Sequence, residues 1–492
     1  MRKKRASDGG SAARARTNGG GRDPPHLVLY PSAKRFCHTY SPLIRSCCVT
    51  SERSQRSEGS LVRALGTWGL AASIVNITVG GGIFRLPSAA AAALGPAAPA
   101  GYLVCAVAMA LIVLCFAEAG SRVSLTGGLY AYVEVAFGPL VGFLTGVMLW
   151  AGITAAMAAV STFFADSVAA LIPSLADAHA RSAMLIAVLI ALAALNVAGV
   201  RGANRFNAVM TVTKLLPLLV LIVVGIASVK AENLVWRATP ATGDVARASA
   251  VLIFAFLGVE TALVPSGEVR DSSRTVPRAI FIAMVGITLL YLAVQLVTQG
   301  ILGAALVGQK TPLAEAAAVA LGVPGRTLIL AGMTISMFGY VSGMTLSVPR
   351  MLFAFGRDGF LPAQLASVHS RFRTPYVAIV VQTLVVIGLS VSGSFEKLAI
   401  IANGSILLVY AACCLAVIEL RRKKVQASGT PFRVPFAAVV PVLAVLVIAW
   451  LLTSLTADEW KALLVVLGVA VIVYVTSLPS RRAAAPAEAG ST

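Results

Sequence analysis

Charge is what this chain has least of. Only 12% of its 492 residues are Asp, Glu, Lys or Arg, hydrophobic residues make up 58%, and the mean hydropathy is +0.86. Soluble domains carry charge on about a quarter of their residues, so a soluble fold is excluded. Histidine is scarcer still, with four residues, and the seven cysteines (Cys37, Cys47, Cys48, Cys105, Cys115, Cys413, Cys414) occur in no spacing that zinc uses, so no metal site is expected. A phosphate-binding loop and a nucleophile elbow are both missing, which removes the support for an enzyme and for a bound cofactor. No repeat of acidic or carbonyl-rich filter residues occurs, which weighs against an ion channel. The first 60 residues lack the continuous apolar stretch of a signal peptide.

What the chain has is apolar length. A hydrocarbon core about 30 Å thick takes about 20 apolar residues in a helix. Twelve such spans are expected, at approximately 64–95, 98–121, 139–172, 182–199, 206–229, 248–268, 278–303, 327–349, 376–393, 397–420, 435–456 and 461–478. The formal charge of +20 is concentrated between them: seventeen basic residues, including Arg421, Arg422, Lys423 and Lys424, fall in the turns and tail of one side, and eight on the other. By the positive-inside rule the richer side is cytoplasmic, which places both termini there and turns the basic balance into a statement about orientation rather than nucleic acid. Residues 1–60 are basic and rich in Ser, Gly and Arg, and are expected to form a disordered cytoplasmic extension. Residues 61–480 then form a twelve-helix domain in the cell membrane, and 481–492 a cytoplasmic tail.

Two of the spans carry interruptions. Residues 78–87 read "TVGGGIFRLP", and each glycine costs about 1 kcal/mol relative to alanine inside a helix. In a bilayer, non-helical backbone is tolerated only where it is buried in protein or lines a cavity. Gly80, Gly81 and Gly82 are therefore expected to break the helix at mid-membrane, leaving N–H groups and the positive end of a restarted half-helix for a carboxylate. Close helix packing is the simpler use of small residues, but three in a row exceed what such a seam needs. Pro87 is expected in the first turn of the restarted half-helix, where a missing N–H is tolerated, and Arg85 beside water or an acidic partner.

An inverted repeat would interrupt the first span of its second half in the same way. Residues 252–269 read "LIFAFLGVETALVPSGEV", with Gly258, Glu260 and Pro265 in close succession. A carboxylate inside a span is costly enough to imply a function; Glu260 either supports unwound backbone or meets a substrate. Lys214, in "NAVMTVTKLLPLLV" (207–220), lies well inside its span. A lysine so buried gives up its proton readily, so it either couples transport to a proton gradient or stands as a fixed charge on a backbone carbonyl.

Five motifs then fall in order: "VGGGIFRLP" (79–87), "FAEAGSRVSLTGGLYAYVEVAFGPLVGFLTG" (116–146), "FAFLGVETALVPSGEVRDSSRTVPRAI" (254–280), "PRMLFAFGRDGFLP" (349–362) and "TPFRVPF" (430–436). Together they make the chain, from about residue 64 to 478, resemble the amino-acid permeases of the amino acid-polyamine-organocation superfamily. The resemblance implies an all-α integral membrane protein of 12 transmembrane helices. Its core would be a 5+5 inverted repeat of the leucine-transporter type (about 64–229 and 248–420) with broken helices 1 and 6, followed by extra helices at 435–456 and 461–478. It further implies that the substrate α-carboxylate sits on the N–H groups of Gly80, Gly81, Gly82 and Ile83, and the α-ammonium on carbonyls at Thr78, Phe254 and Leu257. Phe254 would be the aromatic lid, and Lys214 would stand where sodium-coupled relatives bind their ion. Two departures matter: Gly81 replaces a serine found in many members, and the "GVE" of 258–260 occurs in permeases for neutral and cationic substrates alike.

The function implied is secondary active, proton-coupled transport of a free amino acid by alternating access, with the proton gradient as driving force and no cofactor. Alternatives are an antiporter exchanging a basic amino acid for its amine, and a sensor that binds an amino acid without transporting it. Glu118 and Asp358 are expected to pair with nearby arginines in the turns of the basic side, as elements of a gate.

Overall fold

The computed structural model describes residues 66–483, apart from 124–127, 199–202, 237–238, 264–268, 270, 373, 427–429, 435 and 437. The expected extension over 1–60 and most of the tail over 481–492 lie outside the described residues, as does Pro265. Among the described residues the secondary structure is helical throughout, with no β-strand.

The first apolar segment is two helices, α1 (Thr67–Thr78) and α2 (Gly82–Leu94), separated by three residues. Then come α3 (Ala98–Arg122), the short α4 (Leu129–Phe137), α5 (Pro139–Leu171), α6 (Ala178–Ala198) and α7 (Ala203–Gly225). The second interrupted segment starts as α8 (Thr242–Leu252), tightens into a 3₁₀ turn over Ile253–Phe256, and restarts as α9 (Val259–Ala262). The remainder is α10 (Ser272–Leu302), α11 (Pro312–Ser347), α12 (Pro349–Arg357), α13 (Tyr376–Ser392), α14 (Phe395–Arg422), α15 (Val439–Leu452) and α16 (Ala457–Ala483).

Among the described residues, seven stretches are long and apolar enough to cross a membrane: Gly82–Arg122, Pro139–Leu171, Ala178–Ala198, Ser273–Leu306, Pro312–Arg357, Phe395–Arg422 and Ala457–Ser477. Of the other expected spans, 64–95 and 248–268 are the interrupted ones, and three correspond to shorter apolar helices, Lys214–Ser228, Tyr376–Ser392 and Val439–Leu452. Several boundaries differ from the sequence expectation. Pro312–Ser347 is two helices meeting at a kink, where Gly322 in "LGVPG" leaves helical torsions (φ 68°, ψ −159°), and the span expected at 327–349 lies within the second of them. Pro87 is the sixth residue of α2 rather than part of its first turn, so it withholds a bond from the Ile83 carbonyl one turn earlier.

Burial orders these helices. Within its apolar window α5 is 78% buried and α14 67%, whereas α16 is only 17% buried. Helices α5 and α14 run along each other through the centre, α10 lies along α3 and α1, and α11 along α7 and α5. The α5 interior is rich in small residues (Gly152, Ala155, Ala156, Ala158, Ala159), which let backbones approach where lipid offers no hydrophobic drive for association. On α16 the apolar side chains face outward, Val465 and Ile472 being 64% and 63% exposed; that surface suits hydrocarbon, not water.

Candidate functional site

The site is built where the two interruptions touch. Helix α1 ends with the Val79 N–H on the Val75 carbonyl, and Gly80 then turns its N–H back onto the Thr78 carbonyl (2.8 Å). Helix α2 restarts with the Phe84 N–H on the Gly81 carbonyl (3.2 Å). The N–H groups of Gly81, Gly82 and Ile83 are thus at an open helix start, where four donors have no partner in their own helix. Of the four donors expected for a carboxylate, Gly80 is already committed in this conformation. Beside them the Thr78 hydroxyl is buried and unbonded among the described residues.

The glycines are needed for closeness. Gly81 has ordinary helical torsions (φ −67°, ψ −27°), but a Cβ there would lie 3.3 Å from Val160 of α5, and one on Gly82 3.1 Å from the Phe254 ring. Gly258 is required on both counts. Its φ is 121°, and a Cβ would meet the backbone of Ile77 and Thr78 at 3.1 Å, so the second interruption sits directly against the first.

Two tyrosines hold this junction, and the sequence analysis missed both. The Tyr291 hydroxyl on α10 lies 2.7 Å from the Ala255 carbonyl and 3.1 Å from that of Thr78, one from each break. Tyr410 on α14 donates to Glu260 Oε2 at 2.6 Å. The Glu260 carboxylate, 2% exposed, also accepts the Gly258 N–H on both oxygens (3.0 and 2.9 Å). In this conformation Glu260 ties unwound backbone to α14. The available signal was a single tyrosine in each of two otherwise apolar runs, since a buried hydroxyl almost always finds a partner.

Lys214 of α7 is buried and its ammonium donates to the Asn76 carbonyl. The break explains this contact. A continuous helix would bond that carbonyl to the Gly80 N–H, which here serves Thr78 instead. Lys214 therefore binds backbone freed by the interruption. Phe254, 6% exposed, stands edge-on to Phe395 of α14 (5.6 Å between centroids), and its carbonyl takes the Leu257 N–H at 3.3 Å.

Ion pairs lie towards both ends of the bundle. At the end where α2 finishes, Arg85 makes a 2.7 Å bond to Glu396 and approaches Asp166 at 3.8 Å, while Arg181 holds the other Asp166 oxygen at 2.9 Å. The Arg85 guanidinium also lies 5.6 and 5.7 Å from the centroids of Phe163 and Phe395. At the opposite, basic end, the fully buried Glu118 carboxylate of α3 accepts from Arg122 (2.9 Å), Arg421 (2.7 and 2.5 Å) and the Val434 N–H (2.7 Å). Burial raises the cost of that charge, and four donors offset it. Asp358 pairs with its neighbour Arg357 at the surface. Between the ends a narrow cavity is lined by Ile153 and Ala156 of α5, Leu257, Gly258 and Glu260 at the second break, Tyr340 and Met344 of α11, and Ile406 of α14. Among the described residues no His, Cys, Asp or Glu cluster could hold a metal ion.

A bundle of apolar helices centred on two touching interruptions defines an integral membrane protein. The chain belongs to the amino acid permease family, whose model matches residues 65–477. It is 28% identical over 456 residues to a methylthioribose transporter of Bacillus subtilis, covering 88% of this chain and 97% of that one. A branched-chain amino acid permease, BcaP, from the same organism is 26% identical over 442 residues (85% and 93%), and its serine/threonine exchanger SteT 27% over 386 (76% and 86%).

Proposed function

We propose that this protein is a secondary active amino-acid transporter that works by alternating access, with its substrate held at the junction of the two breaks. The observation that carries the reading is the open start of α2: the N–H groups of Gly81, Gly82 and Ile83 are free of helix bonds, and Gly82 lies against Phe254 and Ala255 of the second interruption. A carboxylate is the ligand that such a helix start favours. On this reading the chain has twelve spans, two of them broken, arranged as inverted repeats over about 64–229 and 248–420. Both termini lie in the cytoplasm of a cell whose surface membrane holds the protein. Glu118 with Arg122 and Arg421 closes the cytoplasmic end, and Arg85 with Glu396 and Asp166 the other. Proton coupling runs through Lys214, whose only acceptor in the described structure is a main-chain carbonyl that the break has freed.

The test is uptake of radiolabelled amino acids into liposomes containing the purified full chain, with and without an inwardly directed proton gradient. Uptake that the gradient accelerates is the expected result. Absence of uptake for every amino acid and amine tried would overturn the transporter reading, and uptake indifferent to the gradient would overturn the coupling alone.

A further inference from the structure

The second break is held from α14 much as the first is held from α7. Helix α8 keeps its regular bonds as far as the Ile253 N–H on the Ser249 carbonyl. The next carbonyl in that series is Ala250, whose partner would be the Phe254 N–H. From Ile253 to Phe256 the chain is a 3₁₀ turn, in which an N–H reaches three residues back instead of four, so Ala250 is released. Asn403 of α14 takes it, its Nδ2 donating to the Ala250 carbonyl at 2.6 Å. Lys214 of α7 does the same for the Asn76 carbonyl. Asn76 and Ala250 each stand two residues before the last of their helices, Thr78 of α1 and Leu252 of α8.

Along α14 the Asn403 bond is the middle one of three. Glu396, Asn403 and Tyr410 follow at intervals of seven residues, which is two helical turns to within about 20°, so they share one face. Each reaches a different piece of the broken helices: Arg85 of α2 at 2.7 Å, Ala250 of α8 at 2.6 Å and Glu260 of α9 at 2.6 Å. Asn403 is 1% exposed, and its Oδ1 is buried and unbonded among the described residues. An apolar side chain would fill that space without a stranded oxygen. What the amide adds is an N–H for a carbonyl that can only accept.

Resting on the transporter reading above, we propose that Asn403 is a positioning residue of the transport cycle and the uncharged counterpart of Lys214. It fastens the end of α8 to α14 while the end of the bundle where α2 finishes is closed, and releases it when that end opens. On the same reading α7 and α14 are the last helices of the two repeats, so each repeat supplies the other's break with nothing and its own geometry with one side-chain donor. An amide has no proton to give up, so this bond is broken by movement of the helices rather than by titration. Water then takes up the Ala250 carbonyl.

The experiment uses the full chain in liposomes. The open population is read as the rate at which a membrane-impermeant maleimide labels Val160→Cys, a position 2% exposed beside Gly81, in a background without other reactive cysteines. Asn403→Leu leaves the Ala250 carbonyl without its donor in the closed form alone, so the rate should rise about fivefold or more. Asn403→Gln keeps an N–H donor and should raise it less. With Arg85→Met the two factors should multiply, because about 10.5 Å of helix separates Glu396 from Asn403 and their bonds share no partner. A bond that merely stabilises the fold would lower the Tm of Asn403→Leu and leave its labelling rate within twofold of the parent. That result would overturn the proposal, as would a double variant labelled no faster than Arg85→Met. Where Asn403→Leu does not fold, Asn403→Ala is judged by the same twofold limit. Labelling needs no substrate, so an unchanged rate in a protein whose parent takes up amino acids removes the role of Asn403 alone, whereas a parent that takes up none removes the transporter reading and this role with it.

Discussion

If the cluster around Arg85 holds the non-basic end of the bundle shut, neutralising it has a calculable effect. Arg85 joins α2 to α14 through Glu396 at 2.7 Å, with the Glu396 side chain 52% exposed, and an ion pair of that exposure contributes about 0.2–1 kcal/mol. The Phe163 and Phe395 rings flanking the guanidinium add about 0.5–1 kcal/mol at a partly exposed site. The closed arrangement should therefore lose about 1–2 kcal/mol in Arg85→Met, which keeps most of the apolar stem. That is a shift of roughly 5- to 30-fold in the ratio of open to closed molecules. Val160 lies beneath this closure, 2% exposed and against Gly81. In a Val160→Cys background without other reactive cysteines, a membrane-impermeant maleimide reports the open population as a labelling rate. Arg85→Met should raise that rate 5- to 30-fold, Glu396→Gln should raise it less, and the two effects should not add, because they remove the same bond. A rate within twofold of the parent in Arg85→Met would refute the closure.

Tyr410→Phe removes one hydrogen bond from a buried carboxylate, so a stability loss of about 1.5–3 kcal/mol is expected, read as a lower Tm in detergent; an unchanged Tm would mean Glu260 does not depend on α14. Lys214→Ala should keep substrate binding measurable while making transport insensitive to pH, and a pH profile matching the parent would remove Lys214 from the coupling. Gly81→Leu should abolish binding, because Val160 and Met337 lie 3.3 and 3.4 Å from the position of its first side-chain carbon; parental affinity by isothermal titration would put the carboxylate elsewhere. Glu118→Gln leaves Arg122 and Arg421 sharing an uncharged acceptor in a buried site, where breaking such an arrangement costs about 3–5 kcal/mol. A thermal unfolding curve overlying that of the parent would show the basic end to be held by something else.

What could be read from the sequence was whatever depends on neighbours in the chain. Three adjacent glycines, a "GVE" in an aromatic stretch and the depth of Lys214 are local facts, and each marks a residue at the junction. The partners were not legible, because they come from far along the chain: Arg85 meets Glu396 across 311 positions, and Glu260 meets Tyr410 across 150. Hydrophobic periodicity reports which face of a helix is apolar but not which helix lies opposite. The purpose of the glycines was half legible. Their number marked a break, yet the tight approach of Val160 to Gly81 and of Phe254 to Gly82 is a property of packing. Pro87 was placed too early because the restart of α2 at Gly82 precedes the proline by five residues, and helix starts are uncertain where glycine supplies no side-chain cap.

Tyr291 has one hydroxyl proton and two carbonyls within reach, Ala255 at 2.7 Å and Thr78 at 3.1 Å. A single proton serves one acceptor well at a time, so the two breaks compete for it. On the alternating-access reading, movement of either half passes that proton to the carbonyl that stays nearer and leaves the other to find a donor. An amine entering the junction brings up to three. The relative position of the two broken helices is thus written into the bonding of one phenol, and the carbonyl it leaves behind is an acceptor complementary to an ammonium group.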